Sequence, residues 1–319
     1  MKRTVVTGGA GFIGSSLVRA LLAQGHRVHV IDNLSSGNLD NLEEVADRIT
    51  VHEFDISDYD RIAPVIAGAD RVFHLAAVAS VPKSINEPLI SHNTNINGTF
   101  NVLRAASEGR AGRVVFAASS AAYGDSVEMP KRESMLPQPK SPYATQKVLG
   151  EYYMKNFAEC FGLETVSLRF FNVFGPRQDP TSAYSGVLSI FMSCLLENRT
   201  PTIFGDGEQS RDFIYVDDIV NILIQAAGAP ASVVSGKVYN AGNGGRYTLN
   251  QVWDLLQKIE SASLPAKFGP ARSGDVRDSQ ADISAAIRDL GYRSQYSVED
   301  GLRLTLAWYG THVREHSLS

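Results

Sequence analysis

Cysteine is nearly absent. The 319 residues hold only Cys160 and Cys194, with no Cys-x-x-Cys or Cys/His spacing, which excludes a disulfide framework and a zinc site. Both are read as buried core thiols in apolar helical stretches, and no metal is expected. An excess of positive charge is missing too: the formal net charge is -4 and the isoelectric point is near 6.0. Without a basic field to concentrate phosphate backbones, nucleic acid is not an expected partner, and any anion must be held by local groups. No run reaches the roughly 18 apolar residues of a membrane span. Lys2 and Arg3 lead straight into a strand-like run instead of the apolar segment and small-residue cleavage site of a secretory signal. No membrane partner is expected, and the expected compartment is the cytosol. Repeats, charge blocks and low-complexity tracts are also lacking.

What is present is a hydrophobic fraction of 44%, enough for a large core in one α/β unit or two joined lobes. Short β-branched runs near Thr4–Val6, Arg27–Ile31, Thr50–Phe54, Arg71–Leu75, Arg113–Ala117 and Thr165–Arg169 alternate with helical patterns at Ser15–Gln24, Gly98–Glu108 and Pro142–Phe161. This alternation predicts an α/β fold, a doubly wound parallel (Rossmann) sheet with helices on both faces. After Phe170, the Gly- and Pro-rich stretches Asn172–Ala183 and Thr200–Arg211 look like ligand loops without regular structure. A strand at Lys237–Asn240, a helix from Thr248 or Leu249 and a mixed tail complete a smaller lobe. The expected division is 1–171 with a returning segment at about 213–245 for the sheet domain, and 172–212 with 246–319 for a substrate lobe.

The run TGGAGFIG, Thr7 to Gly14, follows the first strand and opens the first helix, where free backbone amides and the helix dipole favour a pyrophosphate. Side chains at Gly8, Gly11 or Gly14 would strain the turn, block the phosphates or push helix from sheet. Asp32 ends the second strand, from which a carboxylate accepts bonds from both adenosine ribose hydroxyls. It would repel a 2′-phosphate, and Asn33, Leu34 and Ser35 supply no arginine to offset it, so NAD is favoured over NADP.

Tyr143 and Lys147 stand four apart at a helix start, so their side chains share one face. A phenol titrates near 10, too high for a base at neutral pH, and a neighbouring ammonium together with a cationic nicotinamide would lower it. The fifth strand ends at Ser119 and Ser120, where ligands bind in a doubly wound sheet. A serine there can hydrogen-bond the same ligand hydroxyl that a Tyr143 base would deprotonate. Ser119 also fits a helix or turn cap.

Over nearly its whole length the chain resembles the UDP-glucose 4-epimerase relatives among the extended short-chain dehydrogenases/reductases. TGGAGFIG is similar to the family's cofactor loop, Asp55-Ile56 to its adenine-contacting step, and HLAA (His74 to Ala77) to the motif beside the cofactor. SSAAYG from Ser119 and SPYATQK from Ser141 to Lys147 resemble its Ser, Tyr-x-x-x-Lys set. RFFNVFG from Arg169 and GDGEQSRDFIYVDD from Gly205 resemble its nucleotide-sugar segments. The resemblance implies catalysis by Ser119, Tyr143 and Lys147. It also implies NAD contacts from Phe12, Ile13, Asn33, Ser36, Gly37, Asp55, Ile56, Leu75, Ala76, Ala77 and Asn95 beside the glycines and Asp32. Asn172 and Arg211 are expected on the diphosphate, Phe204 against uracil, Arg272 and Asp275 on phosphate and ribose, and Val81, Ser120 and Val187 among further substrate contacts. Taken singly, Asn172 also fits a loop anchor and Phe204 a core aromatic.

Two departures narrow the implied reaction. Related dehydratases and decarboxylases carry an acid after the Ser/Thr of the fifth strand, where this chain reads Ser119-Ser120-Ala121-Ala122; the cysteine and histidine of epimerase-reductases are also missing. What remains is oxidation and re-reduction at carbon 4. In the Arg272-Ser-Gly-Asp275 segment the fourth residue onward is Ser279, a position where a bulky aromatic resembles enzymes that refuse a 2-acetamido group. The stretches SVPKSINEP from Ser80 and RQDPTSAY from Arg177 likewise resemble enzymes acting on UDP-GlcNAc and UDP-GalNAc. A UDP-glucose 4-epimerase with little acetamido activity, a uronate 4-epimerase and a non-catalytic NAD-binding regulator remain alternatives. The resemblance implies a homodimer through Thr94–Ser107 and Pro142–Phe161.

Overall fold

The computed structural model describes residues 1–179, 186–271 and 277–316. The first half alternates β1 (Arg3–Thr7), α1 (Phe12–Ala23), β2 (Arg27–Asp32), β3 (Ile49–Glu53), α2 (Tyr59–Ile66), β4 (Arg71–His74), α3 (Val81–Asn86), α4 (Pro88–His92), α5 (Thr99–Glu108), β5 (Arg113–Ser119), α6 (Pro142–Phe161) and β6 (Glu164–Phe170). It continues with β7 (Asn172–Phe174), α7 (Val187–Leu196), β8 (Thr202–Phe204), β9 (Ser210–Arg211), β10 (Phe213–Tyr215), α8 (Val216–Gly228), α9 (Ala231–Val234) and β11 (Lys237–Ala241). The last elements are β12 (Tyr247–Thr248), α10 (Leu249–Glu260), β13 (Lys267–Gly269), α11 (Ser284–Leu290) and α12 (Val298–His316).

Seven parallel strands form the central sheet in the order β11-β6-β5-β4-β1-β2-β3. The chain builds outward from β1 to β3, returns to β4 and builds the other way, so the strand order reverses between β1 and β4. In such sheets ligands bind beyond the carboxyl ends at this reversal.

Both faces of the inner sheet are covered, so β1, β4 and β5 are buried along almost their whole length, whereas the edge strand β3 is largely exposed. Leu17, Val18 and Leu21 of α1 meet Ile219 and Leu223 of α8 on one side. Ile62 of α2, Val102 and Leu103 of α5, and Met154 and Phe157 of α6 pack on the other. A separate core of Phe174, Phe191, Trp253 and Leu302 joins β7, α7, α10 and α12.

Local signals set the ends of α6. Ser141 accepts the Ala144 amide, Pro142 opens the helix, and Gly162 closes it in the left-handed region at φ 69°, the conformation glycine adopts most easily. At α10, Thr248 and Gln251 form a capping box.

Three expectations are corrected. The supposed loop stretches contain β7, β8 and β9. β7 pairs with β10 and β8 with β13, both in parallel, and β9 pairs antiparallel with β12. Strands of two or three residues have too few side chains to print an alternation, and their partners lie up to 65 residues away, as for Thr202 and Lys267. Cys194 is buried, but Cys160, near the end of α6, is exposed. The helix expected from Thr94 begins with a wider π-helical turn at Asn93–Gly98 before α5. Among the described residues no helix is long and apolar enough to cross a membrane.

Candidate active site

A cleft of about 400 Å³ opens at the strand reversal. Gly8, Gly11, Phe12, Ile13 and Gly14 form its floor, Asp32, Asn33, Ser36 and Gly37 one end, and Asp55 and Ile56 lie beside them. Leu75, Ala76 and Ala77 line the middle, and Ser119, Tyr143 and Lys147 the far end. The sequence-derived cofactor and catalytic residues therefore converge, with Asn95 as the exception.

The glycine turn is a cradle that side chains would fill. Gly8 has φ +72°, and a Cβ on it would lie 2.7 Å from the Ala76 nitrogen. A Cβ on Gly14 would run into the Gly8 carbonyl oxygen and sit 2.8 Å from Gly9 Cα. Asp32 is held with its carboxylate in place by the Ala10 and Leu34 amides, each at 2.9 Å. Burial pushes this carboxyl up while the two amides pull it down. Asp55 accepts from Ser57 N at 2.7 Å and from Asn33 Nδ2 at 2.6 Å, which ties the two expected adenosine contacts together. Among the described residues no arginine lines this cleft, and Lys147 at the opposite end from Asp32 is its one lysine. A dinucleotide with free ribose hydroxyls fits this end better than one with a 2′-phosphate.

At the catalytic end Ser119 hydrogen-bonds the Tyr143 phenol, and burial outweighs that bond to push the phenol up. The fully packed Lys147 ammonium lies 6.0 Å from the Tyr143 ring centroid and 4.8 Å over Phe116, and donates to Ala117 O at 2.7 Å. Burial pulls Lys147 down to about 7, with Glu151 opposing. This departs from the sequence expectation that the lysine lowers the phenol: removal of both groups from water favours the neutral form of each. Among the described residues the only carboxylates lining the cleft are Asp32 and Asp55 at the adenosine end, so none of them stands beside Ser119.

His74 behind the cleft is wholly buried, and its tautomer follows from its neighbours. Thr99 donates its hydroxyl proton to Asn95 O at 2.7 Å, so at 2.9 Å it accepts from His74 Nε2. On the other side Thr7 accepts from Ala76 N at 3.2 Å and gives its proton to His74 Nδ1 at 2.8 Å. A neutral imidazole satisfies this chain, and burial lowers His74 to about 3. Between that value and the ordinary 6.5 the unfolded chain binds a proton that the folded chain refuses. His74 therefore costs stability as pH falls below 6.5, by up to about 1.4 kcal/mol per pH unit. The urea-unfolding free energy of wild type should drop more between pH 7.5 and 5 than that of His74→Asn. Parallel pH curves for the two proteins would refute this.

Asn95 does not line the cleft. It is 3% exposed; its Oδ1 takes the Val78 amide at 2.8 Å, and its Nδ2 reaches Val78 O and Gln146 Oε1. It braces the wall that Val78 and Thr94 present.

A second cleft is lined by Asn172, Val187, Phe204 and Arg211, as expected, and by Cys194, Arg199, Gln209 and Leu249, which sequence reasoning missed. Among the described residues two arginines and no carboxylate line it, which suits a diphosphate. Phe171 and Val173 line the first cleft and Asn172 the second, so the two share one wall, as a ligand passing from nucleotide to reacting sugar requires. Val81, Ser120 and Ser279 line neither cleft. Val81 opens α3 and is 40% exposed, Ser120 starts a turn after β5, and Ser279 donates its amide to Ser210 O at 3.1 Å. Arg272 and Asp275 lie outside the described residues. Gln178, Phe170 and Phe171 also wall the first cleft unforeseen; the unbroken apolar-aromatic step at the end of β6 was the available signal.

Residues 4–242 match the model of the NAD dependent epimerase/dehydratase family. The chain is 37% identical over 312 residues to the UDP-glucose 4-epimerase of Mycolicibacterium smegmatis, covering 96% of this chain and 98% of that one. The solved UDP-N-acetylglucosamine 4-epimerase of Methanobrevibacter ruminantium M1, in complex with UDP-N-acetylmuramic acid, superposes with a TM-score of 0.93 at 40% identity, covering 97% of this chain and 98% of that one. The UDP-glucose 4-epimerase of Thermotoga maritima with UDP-glucose gives 0.92 at 37% identity, covering 99% and 100%.

Proposed function

Because the chain belongs to the NAD dependent epimerase/dehydratase family and is a UDP-sugar 4-epimerase by its relatives, we propose that it interconverts UDP-GlcNAc and UDP-GalNAc, with UDP-glucose and UDP-galactose as further substrates. The carrying observation is the Ser119, Tyr143 and Lys147 set at the strand reversal, with no carboxylate beside it and an arginine-bearing cleft across a shared wall. NAD would be held by the Gly8–Gly14 turn, Asp32 and Asp55, and would supply a hydride acceptor and donor and a positive charge to the catalytic end.

Tyr143, drawn toward ionisation by that nearby charge, takes the proton of the sugar 4-hydroxyl, while Ser119 bonds the same oxygen. The sugar becomes a 4-keto sugar. Its diphosphate stays on Asn172 and Arg211 while the ring turns to present its other face, and Tyr143 returns the proton to give the inverted alcohol. The absence of an acid next to Ser119 leaves nothing to draw a proton from carbon 5, so the reaction stops at inversion. The nucleotide-sugar lobe in this reading comprises 172–212 and 246–319. The purified chain should convert UDP-GlcNAc and UDP-glucose without added NADH; NAD binding with no conversion would favour a regulatory role instead.

The preference for acetamido sugars rests on the family resemblance at Ser279, a small residue where an aromatic marks enzymes that refuse a 2-acetamido group, although Ser279 packs on Ser210 and lines neither cleft. Ser279→Tyr should abolish turnover of the acetylated pair and spare UDP-glucose. Unchanged UDP-GlcNAc turnover in that variant would refute the pocket argument.

The working form in this reading is a cytosolic homodimer through α5 and α6. Phe100, Leu149, Tyr152 and Phe161 are 39, 36, 53 and 63% exposed on these helices, exposed apolar side chains of the kind that interfaces cover. Sedimentation should give a dimer that Tyr152→Asp weakens; a wild-type monomer would sink the assignment.

A further inference from the structure

One helical turn beyond Lys147, on the same face of α6, lies Glu151. Its two oxygens accept from Arg169 Nε at 2.8 Å and Nη2 at 2.7 Å, with the side chains 5 and 3% exposed. Arg169 is the β6 residue opposite Ala118 of β5, next to the Ala117 carbonyl that holds Lys147. Its guanidinium lies 4.6 Å over the Tyr123 ring, and the Tyr123 hydroxyl is fixed on Asn240 Oδ1 at 2.6 Å. A buried ion pair contributes little net stability compared with apolar side chains of the same size. Its placement calls for another reason.

The groups that act on Lys147 are few. Tyr143 and Glu151 come from its own helix, Phe116 from β5 and the neutral His74 from β4, with Arg169 of β6 behind Glu151. Among the described residues Glu151 is the one anion of this group. Its oxygens are both taken by Arg169, so it exerts its charge on Lys147 without capturing the ammonium, which stays on Ala117 O.

We propose that Glu151, clamped by Arg169, is a positioning residue for the catalytic pair: its buried carboxylate keeps Lys147 as an ammonium beside the Tyr143 phenol, and the clamp stops it from pairing with that ammonium directly. The inference rests on the 4-epimerase reading of this site. Burial alone drives Lys147 toward the neutral amine, and Glu151 is the group that opposes this. Without it the ammonium is lost at lower pH, and the phenol loses its charged neighbour with it.

The test is the pH profile of kcat for UDP-hexose epimerisation by the NAD-loaded enzyme, in wild type, Glu151→Gln, Glu151→Asp and the charge-free double variant Glu151→Gln/Arg169→Gln. In Glu151→Gln the alkaline limb should move down by on the order of one pH unit. The double variant should move the same way by less, because the more distant positive charge is removed as well, and Glu151→Asp should return the limb toward wild type. If Glu151→Gln fails to fold, the double variant, which leaves no buried charge unpaired, carries the test. A folded variant whose kcat falls equally at all pH values, with the limb unmoved, would overturn the proposal and leave the pair a structural one. Nitrogen NMR of the Lys147 ammonium should show the same shift without turnover. A chain that shows this shift but converts no UDP-hexose would sink the catalytic reading and leave the electrostatic one standing.

Discussion

Tyr143→Phe should lose about 10²–10⁴-fold in kcat, the usual contribution of a positioned general acid–base group, while keeping its fold and its NAD. Among the described residues the phenol is the only group at this end of the cleft placed to move the 4-hydroxyl proton: Ser119 is hydrogen-bonded to it, Lys147 is held on a carbonyl, and the two carboxylates stand at the adenosine end. The backbone of Tyr143 is anchored independently by its amide on Ser84 Oγ at 3.1 Å, so removal of the hydroxyl leaves the start of α6 in place. The loss should appear in kcat more than in KM, since the proton transfer belongs to the transition state. Epimerisation at the wild-type rate by the phenylalanine variant would overturn the mechanism.

Gly14→Ala should cost about 3 kcal/mol of stability, the upper range for an overpacked site, and abolish NAD retention. The added methyl would meet the Gly8 carbonyl and Gly9 Cα, all backbone, with no flexible side chain to yield. The turn and α1 would have to separate, and the amides that face the pyrophosphate would move with them. Gly228→Ala is the matching control, because a Cβ there meets nothing within 4 Å. Urea unfolding and NAD titration check both; wild-type affinity in Gly14→Ala would show that the turn tolerates what its geometry forbids.

The elements legible in the sequence share one property: their signals are local. The run of β5 is buried residue by residue, α6 carries its own cap, proline and terminal glycine, and the turn from Thr7 to Gly14 needs glycine whatever surrounds it. The expected bounds of α6 match the observed ones for this reason. β7, β8 and β9 escaped because each exists only through a distant partner. Asn95 was assigned to the cofactor by the family resemblance, but its neighbour Thr94 is the one that reaches the cleft; which of two adjacent residues faces a ligand depends on the wider turn of the backbone at Asn93–Gly98. Cys194 and Arg199 gave no sign of lining the second cleft, since an apolar helix looks the same whether it borders a core or a cavity.

By itself the sequence determined the parallel sheet, the glycine turn, the acid at the end of β2 and the spacing of Tyr143 and Lys147, because periodicity, steric need and helical pitch act within a few residues of chain. Only the tertiary structure decided that burial drives Tyr143 and Lys147 both toward neutrality, that His74 is locked as one tautomer, and that Arg169 from β6 takes the carboxylate next to the catalytic lysine. Those outcomes depend on desolvation and on partners brought together from far along the chain, and no local pattern encodes them.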